Sequence, residues 1–164
     1  MKRIIILLII GCLLNGTSLI AQDYYEINFS FTHSRRIPYN YVNINIIKRQ
    51  DIITIKVKSI PLDTISLKWK YSIIDTTFML SKHELDILIQ SLNKIKSSDI
   101  ISKLDFIGFD GTSYAIEFGS FDNTVKYKVW SPDYNTIERN LQSFLETCKF
   151  FITTAKLNLN DIIK

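Results

Sequence analysis

The sequence predicts an α+β fold: an antiparallel sheet, elements in the order ββββ-α-ββ-α, with two helices packed on one face. Several segments alternate apolar and polar residues with a period of two, the pattern of a strand with one buried and one wet face. Two others repeat apolar residues at three- and four-residue spacing, each with one stripe. Connections between successive strands are too short for parallel crossovers, so neighbours run antiparallel.

Residues 24–33 open the pattern, with Tyr25, Ile27, Phe29 and Phe31 on one side and Glu26, Asn28 and Ser30 on the other. Val42, Ile44 and Ile46 alternate with Asn43 and Asn45 in a second strand, and Lys48 to Asp51 turn the chain. Ile53, Ile55 and Val57 mark a third strand, which Pro61-Leu62-Asp63 breaks. Leu67, Trp69, Tyr71 and Ile73 mark a fourth. The period changes at Ser81, where Glu84 three residues on completes a capping-box signature. Leu85, Leu88, Ile89, Leu92 and Ile95 then form the stripe of a helix ending near Lys96–Ser98.

Asp110-Gly111 is a turn signal. Tyr114, Ile116 and Phe118, then Val125, Tyr127 and Val129, form a β-hairpin turning at Gly119–Asn123. Pro132 stops the strand. Asn135 with Glu138 repeats the cap pattern, predicting a helix from there to about Lys156. Its apolar face is Ile137, Leu141, Phe144, Leu145, Cys148, Ile152 and Ala155, so Cys148 reads as a small core residue.

The N-terminus has the three-part layout of a secretory signal. Lys2 and Arg3 are a positive start, Ile4–Leu14 an apolar run broken at Gly11, and Ala21 a small residue for the peptidase. The run is too short to span roughly 30 Å of hydrocarbon. Residues 1–21 are read as the signal and residues 22–164 as a single domain, with cleavage after Ala21 or Gln22. The expected location is periplasmic or extracellular, with no membrane span after cleavage. Ile9-Ile10-Gly11-Cys12 offers the alternative of a lipoprotein anchored through Cys12, although Leu13 and Leu14 are not a polar tether.

Cleavage removes two of the 20 basic residues, leaving 18 against 16 acids. The remaining charge is interspersed, which with export argues against a nucleic-acid partner. Cys148 is the one cysteine after the signal, so no disulfide closes within the domain.

The chemical motifs are sparse. His33 and His83 are the only histidines and neither has a second ligand at useful spacing, so no metal or cofactor is assigned. Asp110-Gly111-Thr112 has the form of the dehalogenase-type phosphatase motif, but position 108, where the nucleophile belongs, is glycine. Ser91-Leu92-Asn93-Lys94 has the spacing of penicillin-recognising acyl enzymes, yet Ser91 is placed on the polar face in mid-helix and the further motifs are absent. Acids are plentiful, and Asp105, Asp110 and Glu117, close together around one hairpin, are the candidate set for hydrolysis.

Aromatic residues exceed what a core of this size needs. By parity Trp69 points to the core. Trp130 shares the parity of Lys126 and Lys128, which puts it on the polar face beside Pro132 and Tyr134, a binding corner for a protein or a sugar ring. The competing reading packs Trp130 under the following helix. Lys68, Lys70, Lys126 and Lys128 form either a basic patch on the wet face or ordinary edge protection.

Asp110-Gly111-Thr112-Ser113 with Glu117, then Trp130-Ser131-Pro132 before an amphipathic helix, resembles a family of small exported bacterial proteins of uncharacterised function. The resemblance covers about residues 104–157. It implies export and this fold, and it implies no activity. The expectation is therefore an exported binding module using Trp130, Tyr134, Lys126 and Lys128, inhibitor- or immunity-like, with another exported protein or a glycan as partner. The alternatives are a small hydrolase using the hairpin carboxylates and a structural component of the envelope.

Overall fold

Alternation governs the architecture. In the computed structural model, which describes residues 24–33, 39–63, 70–101, 111–120 and 122–163, the first three alternating segments and both arms of the later hairpin are strands of one antiparallel sheet. The strands are β1 (Tyr24–His33), β2 (Tyr39–Arg49), β3 (Ile52–Asp63), β4 (Lys70–Tyr71), β5 (Ile74–Met79), β6 (Thr112–Ser120) and β7 (Asn123–Trp130). Their order is β4-β3-β2-β1-β6-β7, with β5 also paired to β3. The helices are α1 (Lys82–Leu92), α2 (Ser97–Ile101) and α3 (Gln142–Thr154), followed by a 3-10 turn at Leu159–Asp161.

One face of the sheet carries the core. Ile27, Phe29 and Phe31 of β1, Val42, Ile44 and Ile46 of β2, Ile55 and Val57 of β3, and Tyr114 and Ile116 of β6 are buried there. Leu85, Leu88 and Leu92 of α1 and Phe144, Cys148, Phe151 and Ile152 of α3 close over them. Phe151 stacks on Phe29 with ring centroids 5.1 Å apart. Two substantial helices thus cover one side, as the sequence predicts. Cys148 is fully buried, and burial pushes its thiol well above the ordinary value.

The cap of α1 is as the sequence reads it: the Ser81 hydroxyl accepts from the Glu84 amide, and the Glu84 carboxylate accepts from the Ser81 amide at 2.9 Å. The helix stops at Leu92, earlier than the stripe suggested. Ile95 is buried beyond its end, and Ser97–Ile101 makes a separate short helix. Ser91 is buried, not on the polar face. Its hydroxyl donates to the Leu88 carbonyl at 2.7 Å, and its own carbonyl accepts from the Thr147 hydroxyl of α3 at 3.1 Å.

Three other expectations are corrected. Pro61 does not end β3: it lies opposite Tyr39, where the β2–β3 register shifts past Asn40, so a residue without an amide donor falls where the ladder is already broken. The fourth strand reduces to Lys70–Tyr71 among the described residues, Ile73 is 78% exposed, and Trp69 lies outside them. Beyond it Ile74–Met79 pairs with β3, and this strand was missed because only Ile74 and Phe78 reach the core. The last helix begins at Gln142, not Asn135. Asn135 and Asn140 have left-handed backbones (φ 48° and 54°), residues 132–140 form turns, and Ile137 is 75% exposed. A left-handed residue cannot continue an α-helix, and asparagine tolerates that conformation.

Candidate functional site

The face of the sheet away from the helices is polar, and its rows follow from the register. Lys126, Glu117, Asn28, Asn45 and Lys56 lie side by side across β7, β6, β1, β2 and β3. The next row is Lys128, Ala115, Ser30, Asn43 and Lys58. The centre is therefore small and uncharged, with lysines towards both edges. At the β3 side, Lys56 and Lys58 share Asp75 at 3.6 and 3.8 Å. At the β7 side, Lys126 pairs with Glu117 at 2.8 Å, and Lys128 is exposed. Lys68 lies outside the described residues.

Trp130 is on this open face, as parity predicts, and half-buried. The helix that follows begins only at Gln142, after the turns of residues 132–140. The Trp130 indole fills the space over Gly111: a Cβ there would fall 2.6 Å from the indole Nε1 and 2.6 Å from the Ser131 Oγ. Gly111, Thr112, Trp130 and Ser131 knit this corner. The Ser131 amide donates to the Thr112 carbonyl at 2.7 Å, and the Thr112 amide donates to the Ser131 hydroxyl at 3.1 Å. Pro132 is buried beside them.

Sequence reasoning missed the residue that holds the corner. Arg139 is only 4% exposed and donates to the carbonyls of Ser131 at 2.6 Å, Trp130 at 2.8 Å and Tyr134 at 3.0 Å. Burial pulls its pKa below the ordinary value, against the opposing charge of Asp133. A fixed guanidinium fork suits several acceptors at once, which a lysine cannot match. With the strand end clamped in this way, Tyr134, four residues on, is 55% exposed.

A second polar feature also escaped the sequence. Glu26 accepts from the Tyr24 hydroxyl and the Asn28 amide, each at 3.1 Å, and from the Asn45 side chain, which also donates to Asn28 Oδ1 at 2.6 Å. Beside this network, an open depression of about 340 Å³ is bounded by Tyr24, Glu26, Glu117, Gly119 and Thr124. Burial acts to raise the Glu26 pKa, but the hydrogen bonds from Asn28, Asn45 and Tyr24, with Arg49 nearby, outweigh it and hold the carboxyl below its usual range.

These carboxylates are poorly placed for hydrolysis. A two-carboxylate glycosidase keeps one acid protonated by raising its pKa, whereas Glu26 is held ionised and Glu117 is in an ion pair. Asp105 and Asp110 lie outside the described residues, as do Cys12 and the whole signal. His83 is exposed in the first turn of α1. Among the described residues no group of three His, Cys, Asp or Glu side chains is placed to hold a metal ion, and no helix is long and apolar enough to cross a membrane.

Comparison with known proteins gives no relative: no protein-family model and no curated protein sequence matches the chain.

Proposed function

We propose that this chain is an exported binding protein that engages another exported protein through the β7 end of its open sheet face. The observation that carries the reading is the Trp130–Tyr134 corner. A large indole sits on the wet face over a glycine, an exposed tyrosine follows four residues on, and a buried arginine holds the backbone carbonyls of both. Tyrosine and tryptophan supply contact area at low entropic cost, and such residues concentrate in the energetic centre of interfaces. Lys128 adds positive charge at the rim, beside the Lys126–Glu117 pair. Export rests on the N-terminal signal, and an inhibitor or immunity role suits a small exported domain whose Glu26 and Glu117 carboxylates are taken up by hydrogen bonds and an ion pair.

The test is Tyr134→Ala, which removes no hydrogen bond of the fold described above, measured against a partner isolated with the mature chain. The reading expects an affinity loss of about tenfold or more, the loss of a central aromatic anchor. An unchanged affinity, with the variant folded, would remove this corner from the contact surface.

A further inference from the structure

We propose that β7 receives an extended strand from the partner protein, and that this strand alternates acidic and apolar residues. The proposal rests on the binding reading above and names the chemistry of the partner.

The backbone direction along β7 can be derived. The Ser131 amide donates to the Thr112 carbonyl at 2.7 Å, so the Trp130–Ser131 peptide turns its N–H towards β6 and its C=O, the Trp130 carbonyl, away from it. Arg139 takes that carbonyl at 2.8 Å. In an antiparallel ladder successive residues alternate between facing the partner strand and facing away from it. Two and four residues back, Lys128 and Lys126 present their amides and carbonyls to the same outer side, as does Thr124. Among the described residues no backbone group bonds to these three, although α2 lies beside β7. Arg139 closes the edge at one end and leaves the middle as a template for strand addition.

The side chains select the occupant. An added strand places alternate residues opposite Lys126 and Lys128 on the open face, where Lys126 is already neutralised by Glu117 and Lys128 is not. Its other residues meet Val125, 44% exposed, and Tyr127, half-buried, on the opposite face. Acid against lysine and apolar against valine and tyrosine is the complementary pattern. A second copy of this chain does not provide it. Every central antiparallel register of β7 on itself sets lysine opposite lysine, as Lys126 on Lys126, Lys126 on Lys128, or Lys128 on Lys128, and like charges directly opposite are destabilising.

The experiment uses the mature chain and a capped eight-residue peptide of alternating glutamate and valine. In the isolated protein the Lys126 and Lys128 amides should exchange with solvent quickly and the Tyr127 and Val129 amides slowly. Added peptide should slow the first pair. Methylating the peptide nitrogens of the glutamates, which face β7, should abolish binding. Methylating those of the valines should not. The double variant K126E/K128E should lose the peptide by about tenfold or more and gain the lysine–valine counterpart. Slow exchange of Lys126 and Lys128 without peptide would put another segment of this chain on the edge and overturn the proposal, as would binding that ignores which nitrogens are methylated. If the peptide fails while Tyr134→Ala still weakens the partner, strand addition falls and the binding corner stands.

Discussion

The guanidinium of Arg139 donates to the carbonyl of Trp130 at 2.8 Å on the side of β7 that faces away from β6. That bond joins the end of the sheet to the turns that follow it. It fixes the carbonyl on one side of Trp130 while Gly111 receives the indole on the other.

Replacing Arg139 by alanine should therefore unfold this corner first. Three carbonyls lose a charged donor in a buried place, at a cost of about 2–4 kcal/mol. Arg139→Lys should recover only part of it, since an ammonium cannot span the acceptors as the fork does. Denaturant unfolding of both variants measures the difference, and equal stability of wild type and Arg139→Ala would contradict this role.

Gly111→Ala tests the seat of the indole. The added methyl would collide with Trp130 Nε1 and with Ser131 Oγ, so the ring must move out towards solvent or the corner must loosen. The expected cost is about 1–3 kcal/mol. In a Trp69→Phe background, fluorescence should report Trp130 alone and shift to the red.

Glu26 gives the sheet an acid-sensitive element. Its folded pKa lies below the ordinary glutamate value of 4.5, so its contribution is complete above that pH and is lost as pH falls through the folded value. Glu26→Gln should lower stability most at neutral pH and converge on the wild type as pH falls below about 4.5, which flattens the acid decline. Unfolding midpoints taken from pH 7 down to pH 2 would check it, and an unchanged acid slope would contradict the network.

Cys148 should resist thiol reagents in the native protein and react once the chain unfolds, because it is fully buried and its thiolate is disfavoured by that burial. Native reactivity at the unfolded rate would mean that α3 opens from the sheet.

How far the sequence could be read depends on contrast between faces. Phe29 between Asn28 and Ser30, or Ile55 between Thr54 and Lys56, leaves no doubt about parity, and the buried and open faces of β1, β2, β3, β6 and β7 follow from it. β5 lacks that contrast because an edge strand touches the core at only two positions. Asn135 with Glu138 imitates a helix start, but the asparagines at 135 and 140 are there for their left-handed backbones, and side-chain spacing does not reveal φ. In the site, parity placed Trp130, Lys126 and Lys128 on the open face. It could not find Arg139, whose partners are backbone carbonyls, or the Glu26 network, which exists only once Asn28 is set beside Asn45 across two strands.

The most direct test of a contact surface at this end of the sheet is position-dependent photo-cross-linking in the native envelope. A photoreactive amino acid would replace Tyr134 in one variant and Asp86, exposed on the polar side of α1, in another. The binding reading predicts one discrete adduct from position 134, weakened by K126E/K128E, and none from position 86. No adduct from position 134, or the same adduct from both, would contradict it.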